Sequence, residues 1–123
     1  MTSAEYAQSV ENLVQSALRG RNLSRDEYRL AAAYEHLAHG AAERCRGIGM
    51  DRYEVAPDRQ RWEEHTVADH IAQAVEEALD IPAYFQQIAY HAGLEGDADI
   101  LSGVDLCAQI LVILDRIAMR ING

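Results

Sequence analysis

A chain of 123 residues, 49% of them apolar, is long enough to bury a core without staples and too apolar to be disordered. Its 11 arginines and complete lack of lysine are unevenly spread: nine lie at or before Arg61, while residues 62–115 hold 11 carboxylates and no Arg. Such an acidic block, within a net charge of -9, repels nucleic-acid phosphates, argues against DNA or RNA as a partner and attracts divalent cations.

The first helix is expected to start after Thr2 or Ser3, with Glu5 in its first turn, and to end at Gly20. Its apolar line is Tyr6, Val10, Leu13, Val14, Ala17 and Leu18, and nothing on it asks for a chemical role. Ser24-Arg25-Asp26-Glu27 has the pattern of a capping box and opens a second helix that reaches about Arg46. The apolar side of that helix runs Leu30, Ala31, Tyr34, Leu37, Ala38, Ala41 and Cys45, small enough for a neighbour to approach closely. Its other side presents His36, His39 and Glu43, with Glu35 adjacent.

Residues 47–61 read as a long loop with no strand pattern, crowded by Arg44, Arg46, Arg52, Arg59 and Arg61. Arginine forks suit phosphate oxygens. A third helix is expected from Trp62 to about His91, closed by Gly93 and kinked at Pro82. Its apolar stripe is Val67, Ile71, Ala74, Ala78, Ile81 and Phe85, flanked by His70, Glu77, Asp80 and Tyr84. Asp97 or Asp99 caps a last helix, about 98–121, that is apolar on nearly all sides. One of its lines is Leu106, Ile110, Ile113 and Ile117. A helix apolar all round is buried centrally or between subunits, so a homo-oligomer assembled through this helix is expected.

The expected fold is therefore all-α: a single domain over 1–123, built as a four-helix antiparallel bundle. No run of about 18 apolar residues is present for a membrane span. The N-terminal residues carry no visible export signal and Cys45 and Cys107 have no Cys-x-x-Cys spacing, which together read as cytoplasmic with reduced thiols.

Spacing eliminates several bundle chemistries. No Glu is followed three residues later by His, so the di-iron carboxylate pattern is missing, and so are His-Glu-x-x-His and a P-loop. Glu77 and Asp80 remain, one helical turn apart and suited to one hard cation that keeps waters and phosphates in its shell. Glu76-Glu77-Ala78-Leu79-Asp80, with Tyr84 beyond it and His39-Gly40 and Arg52-Tyr53 before it, resembles the second metal motif of MazG-like all-α nucleoside triphosphate pyrophosphohydrolases, small phage and actinobacterial members included. The family's first motif, Glu-x-x-Glu, has as its nearest counterpart Glu35-His36-Leu37-Ala38-His39, followed by Glu43.

The resemblance implies hydrolysis of a nucleotide substrate to the monophosphate and pyrophosphate with Mg²⁺ or Mn²⁺. Metal would be held by Glu77, Asp80 and Glu43, with Glu76 beside them. His39 or His70 would orient water or substrate, and Arg52, Arg59, Arg61 and Tyr84 would contact the nucleotide. The alternative is a non-catalytic, phage-type helical binding module whose acidic face meets a basic partner. A transition-metal site from His36, His39, His65 and His70 is disfavoured, because helical register scatters the four.

Overall fold

The computed structural model describes residues 1–46 and 54–122. Four helices account for most of them: α1 (Ser3–Arg19), α2 (Tyr28–Arg46), α3 (Val67–Ala92) and α4 (Ala98–Asn122). The expected all-α class holds, with one addition. Glu54–Ala56 (β1) and Arg59–Gln60 (β2) pair antiparallel around Pro57-Asp58, within the segment read above as an unstructured loop. Pro-Asp favours a tight turn, and the strands are too short for alternation to declare them. Arg52 and the rest of 47–53 lie outside the described residues. The chain divides into two compact units, Met1–Glu64 and His65–Gly123.

In the first unit α1 packs on α2. Thr2 caps α1: its hydroxyl accepts from the Glu5 N–H at 3.1 Å, and the Glu5 carboxylate accepts from the Thr2 N–H at 3.1 Å. That backbone donor holds the Glu5 carboxyl below its ordinary pKa. Gly20 ends the helix in right-handed conformation, so its glycine is not needed for backbone reasons. The Glu27 carboxylate accepts from both the N–H and the hydroxyl of Ser24. These residues lead through a short 3₁₀ turn, Arg25–Glu27, into α2.

Ala7, Ala42 and Cys45 form the core, with Tyr6 and Val10 against it. Small side chains at the crossing let the backbones approach, as the alanine-rich pattern predicts. Leu37, by contrast, is 55% exposed, because the contact centres on Ala38, Ala42 and Cys45 and leaves Leu37 about 100° round the helix. Burial raises the pKa of the Cys45 thiol, opposed by a hydrogen bond with Tyr6.

The strand pair is tied to the start of α1. Gln60 is completely buried, and its amide nitrogen donates to the Ser3 hydroxyl at 3.1 Å and the Met1 carbonyl at 3.3 Å. Its own N–H donates to Glu63 at 2.7 Å, and the same carboxylate pairs with the Met1 amino group at 3.2 Å. The Met1 amino group also donates to the Asp58 carbonyl. Tyr6 meets Trp62 with ring centroids 5.4 Å apart. These contacts claim Arg61–Glu64 as a 3₁₀ turn of the first unit.

That is why α3 does not start at Trp62. The start is set at Thr66, whose hydroxyl accepts from the Asp69 N–H at 3.2 Å while Asp69 accepts from the Thr66 N–H at 3.0 Å. The helix then runs unbroken through Pro82, so Asp80 does not cap a separate helix. Gly93 closes it at φ 66°, the left-handed region that a side chain disfavours, with the Leu94 N–H bonded to the Ala89 carbonyl at 2.8 Å. Asp97 is the cap of α4, accepting from the N–H groups of Asp99 and Ile100.

Within the second unit α3 packs on α4. Ala78, Ala89 and Cys107 are buried at the contact, and the Phe85 ring fills the space that a Cβ on Gly103 would take. Ile81 (38% exposed), Ile88 (51%) and most of α4's large apolar side chains remain open, so α3's apolar stripe is wider than the contact it makes. Among the described residues no helix is long and apolar enough to cross a membrane.

Candidate functional site

Helical geometry places His70, Glu77, Asp80 and Tyr84 of α3 within an arc of about 80°, so the four form one stripe along the helix. They do not form one site. At 1.5 Å per residue, His70 and Asp80 are about 15 Å apart along the axis, beyond the reach of a single cation, whereas Glu77 and Asp80 are only about 4.5 Å apart in rise. The compact part is the turn Glu76, Glu77 and Asp80, all exposed to solvent. Among the described residues none of the three forms a salt bridge, so the carboxylates are not neutralised by an arginine.

His70 belongs instead to the start of α3. Its ring lies 6.0 Å from that of His65, and both imidazoles adjoin the capping carboxylate of Asp69. The Asp69 carboxyl has a lowered pKa, first through the Thr66 N–H and hydroxyl it engages and to a lesser degree through the two histidines. Tyr84 is 61% exposed one turn beyond Asp80.

The first unit carries the other expected residues. His39 and Glu35 of α2, one turn apart, face α1 across a groove of about 460 Å³. Glu11, Gln15 and Arg19 of α1 and Tyr34 of α2 also line it. The three α1 residues follow a spacing of four, which marks a polar stripe on that helix. Glu43 is outside that lining and pairs with Arg46 at 3.2 Å on the exposed face of α2. As a metal ligand it would first have to give up that arginine. Arg59 pairs with Glu64 at 3.5 Å, and Arg61 opens the 3₁₀ turn that follows β2. His39 and Glu43 thus sit in the first unit, and Glu76, Glu77, Asp80, His70 and Tyr84 in the second.

Among the described residues no group of three or more His, Cys, Asp or Glu side chains is arranged to hold a metal ion. What the second unit offers is a pair of carboxylates, Glu77 and Asp80, one helical turn apart, which by themselves leave most of a cation's coordination sphere to other oxygens. No family model, no curated protein and no solved structure matches the chain.

Proposed function

We propose that the protein is an Mg²⁺-dependent nucleotide pyrophosphohydrolase that binds its metal at the Glu76–Asp80 turn of α3. The observation that supports this reading is the turn itself, with Glu77 and Asp80 exposed, one helical turn apart and without a cationic partner among the described residues. Pro82 adds to it: lacking an N–H, it leaves the Ala78 carbonyl without its usual helical donor, close to Asp80. Glu77 and Asp80 would hold a hard cation there, and such a cation would supply charge neutralisation for phosphate oxygens and activation of an attacking water. In the reaction, that water attacks the α-phosphorus, the bond to the β-bridging oxygen breaks, and pyrophosphate leaves with the monophosphate as co-product. The test is pyrophosphate release from a panel of nucleoside and deoxynucleoside triphosphates with Mg²⁺, comparing wild type with Glu77→Gln. Release at least 100-fold slower in the variant is the expected result. No release from any nucleotide, or an unchanged rate, refutes the proposal.

A second reading is favoured by the absence, among the described residues, of any three-ligand metal cluster. In it the acidic outer edge of α3 is a non-catalytic contact surface for a basic partner. Melting curves separate the two readings, since an ion that binds only the folded state must raise the melting temperature with concentration. A rise with millimolar Mg²⁺ that Glu77→Gln abolishes supports the first; its absence supports the second.

A further inference from the structure

The groove between α1 and α2 has an apolar floor and polar walls, the build of a site for a small organic molecule. On the floor Ala38 is 3% exposed, and Val14 and Leu18 are half-buried. Glu11, Gln15 and Arg19 form one wall, and Glu35 and His39 the other. The spacing of four explains both walls: each member is turned only about 40° from the last, so each row runs along its helix beside the contact. At about 460 Å³ the groove falls in the range of small-molecule sites, about 300–1,000 Å³.

The charges of the walls say what fits. Glu11 is half-buried, yet among the described residues neither it nor Glu35 has a hydrogen bond or an ion pair. Elsewhere in the same unit the glutamates are used. Glu5 and Glu27 serve as caps, Glu43 and Glu64 pair with arginines, and Glu63 pairs with the Met1 amino group. Two carboxylates without partners thus share one groove. Arg19 lines it too, but its guanidinium donates to the Ser16 hydroxyl of its own helix at 3.1 Å. A carboxylate beside an apolar floor is best matched by a cation that carries hydrocarbon with it.

The spacing of the two acids narrows the choice. Ala7 packs with Ala42 and Cys45, which fixes the register of the antiparallel helices and sets Glu11 level with about His39 and Gln15 with about Glu35. The carboxylates are therefore staggered by about four residues, or about 6 Å along the groove. The two nitrogens of an extended four-carbon diamine are also about 6 Å apart. The stagger separates such a ligand from a metal ion, whose ligands must converge to within about 2–3 Å of one point.

We propose that this groove binds an aliphatic diamine, with one ammonium group at Glu11, the other at Glu35, and the methylene chain on Val14, Leu18 and Ala38. Tyr34, next to Glu35 in the lining, gives the second ammonium group an aromatic neighbour. The site lies within the first unit and does not rest on the nucleotide reading.

The test is a two-dimensional NMR titration of the full chain with putrescine in about 0.15 M salt, which screens non-specific attraction to the -9 charge. Amide shifts are expected in 11–19 and 34–39, saturating with a Kd of about 1 mM or tighter. Glu11→Gln and Glu35→Gln should each weaken binding about 5-fold, and butylamine, with its single ammonium group, should bind about 5-fold more weakly than putrescine. Arg19→Gln removes a competing cation and should tighten binding about 2-fold. Glu77→Gln and Glu95→Gln, at exposed carboxylates of the second unit, should leave it unchanged. Glutamine keeps the helix propensity of glutamate, and circular dichroism checks that each variant retains its helices. No saturable shift at about 20 mM putrescine overturns the proposal. So do shifts centred on the Glu76–Asp80 turn, equal binding of succinate, or an affinity that Glu11→Gln and Glu35→Gln both leave unchanged. Weakening by Glu95→Gln as large as by Glu35→Gln would show attraction to net charge alone, and refutes it equally.

Discussion

Gly40 and Gly103 both lie inside helices, yet replacing each by alanine should move stability in opposite directions. In a helix interior alanine is favoured over glycine by about 1 kcal/mol, because glycine loses more backbone freedom on folding. At Gly40 a new Cβ meets nothing within 4 Å, so the whole gain is expected. At Gly103 the Cβ would lie 2.3–2.8 Å from three atoms of the Phe85 ring. Contacts that short force the ring, packed between α3 and α4, to move by about 1 Å, and overpacking of this kind costs about 1–3 kcal/mol. The net expectation for Gly103→Ala is a loss of about 1 kcal/mol. Urea unfolding at constant m-value measures both variants, and Gly103→Ala in a Phe85→Leu background completes a double-mutant cycle. There the smaller side chain should give way, with a coupling energy above about 0.5 kcal/mol. A Gly103→Ala variant as stable as Gly40→Ala, or one whose effect is the same with and without Phe85, refutes the packing argument.

Gln60→Ala removes a fully buried side chain and its bonds to Ser3 and Met1, for an expected loss of about 2 kcal/mol and a melting temperature lower by roughly 10 °C; a fall under 2 °C would show that these bonds add nothing. Thr66→Ala strips the α3 cap and should cost about 1 kcal/mol, read by urea unfolding, with Thr66→Ser close to wild type. Glu5, Glu63 and Asp69 have lowered pKa values, each first because a backbone N–H donates to the carboxylate. Their stabilisation is complete above the unfolded carboxylate range of about 4 and is lost as pH falls through the lower folded values. Measured in 0.5 M salt, which screens repulsion within the -9 charge, the melting temperature should stay flat from pH 7 to about 5 and drop below about pH 4. A rise on acidification would contradict the assignment.

Most of the helical framework was legible because its signals are local. Thr2 with Glu5, Ser24 with Glu27, Gly93 and Asp97 each act within a few residues, and each marks an end that the structure reproduces. The errors came from contacts that sequence spacing does not carry. Residues 61–64 continue the helical pattern of α3, but Gln60 and Glu63 are claimed by Met1 and Ser3, 57 to 62 residues away. Apolar periodicity also announces a face without saying how much of it a given contact covers. Ile81 and Ile88 share the stripe of Ala78 and Phe85 but lie at its margin, off the α4 contact. For the candidate site, motif spacing picks out the Glu77–Asp80 turn, but a stripe on a helix looks the same in sequence at about 4 Å and at about 15 Å separation, so spacing alone does not say how far along the axis His70 lies. Glu43's arginine partner, one turn away at Arg46, is equally local.

The turn from Gly93 to Asp97 joins two helices of 26 and 25 residues with very little chain between them. Closing so short a connection costs little entropy, and the contacts it brings are nearly all close in sequence, the condition for rapid formation. The α3–α4 hairpin is thus poised to assemble in an early, unimolecular step. Refolding should accordingly show a fast gain of helix at a rate independent of protein concentration.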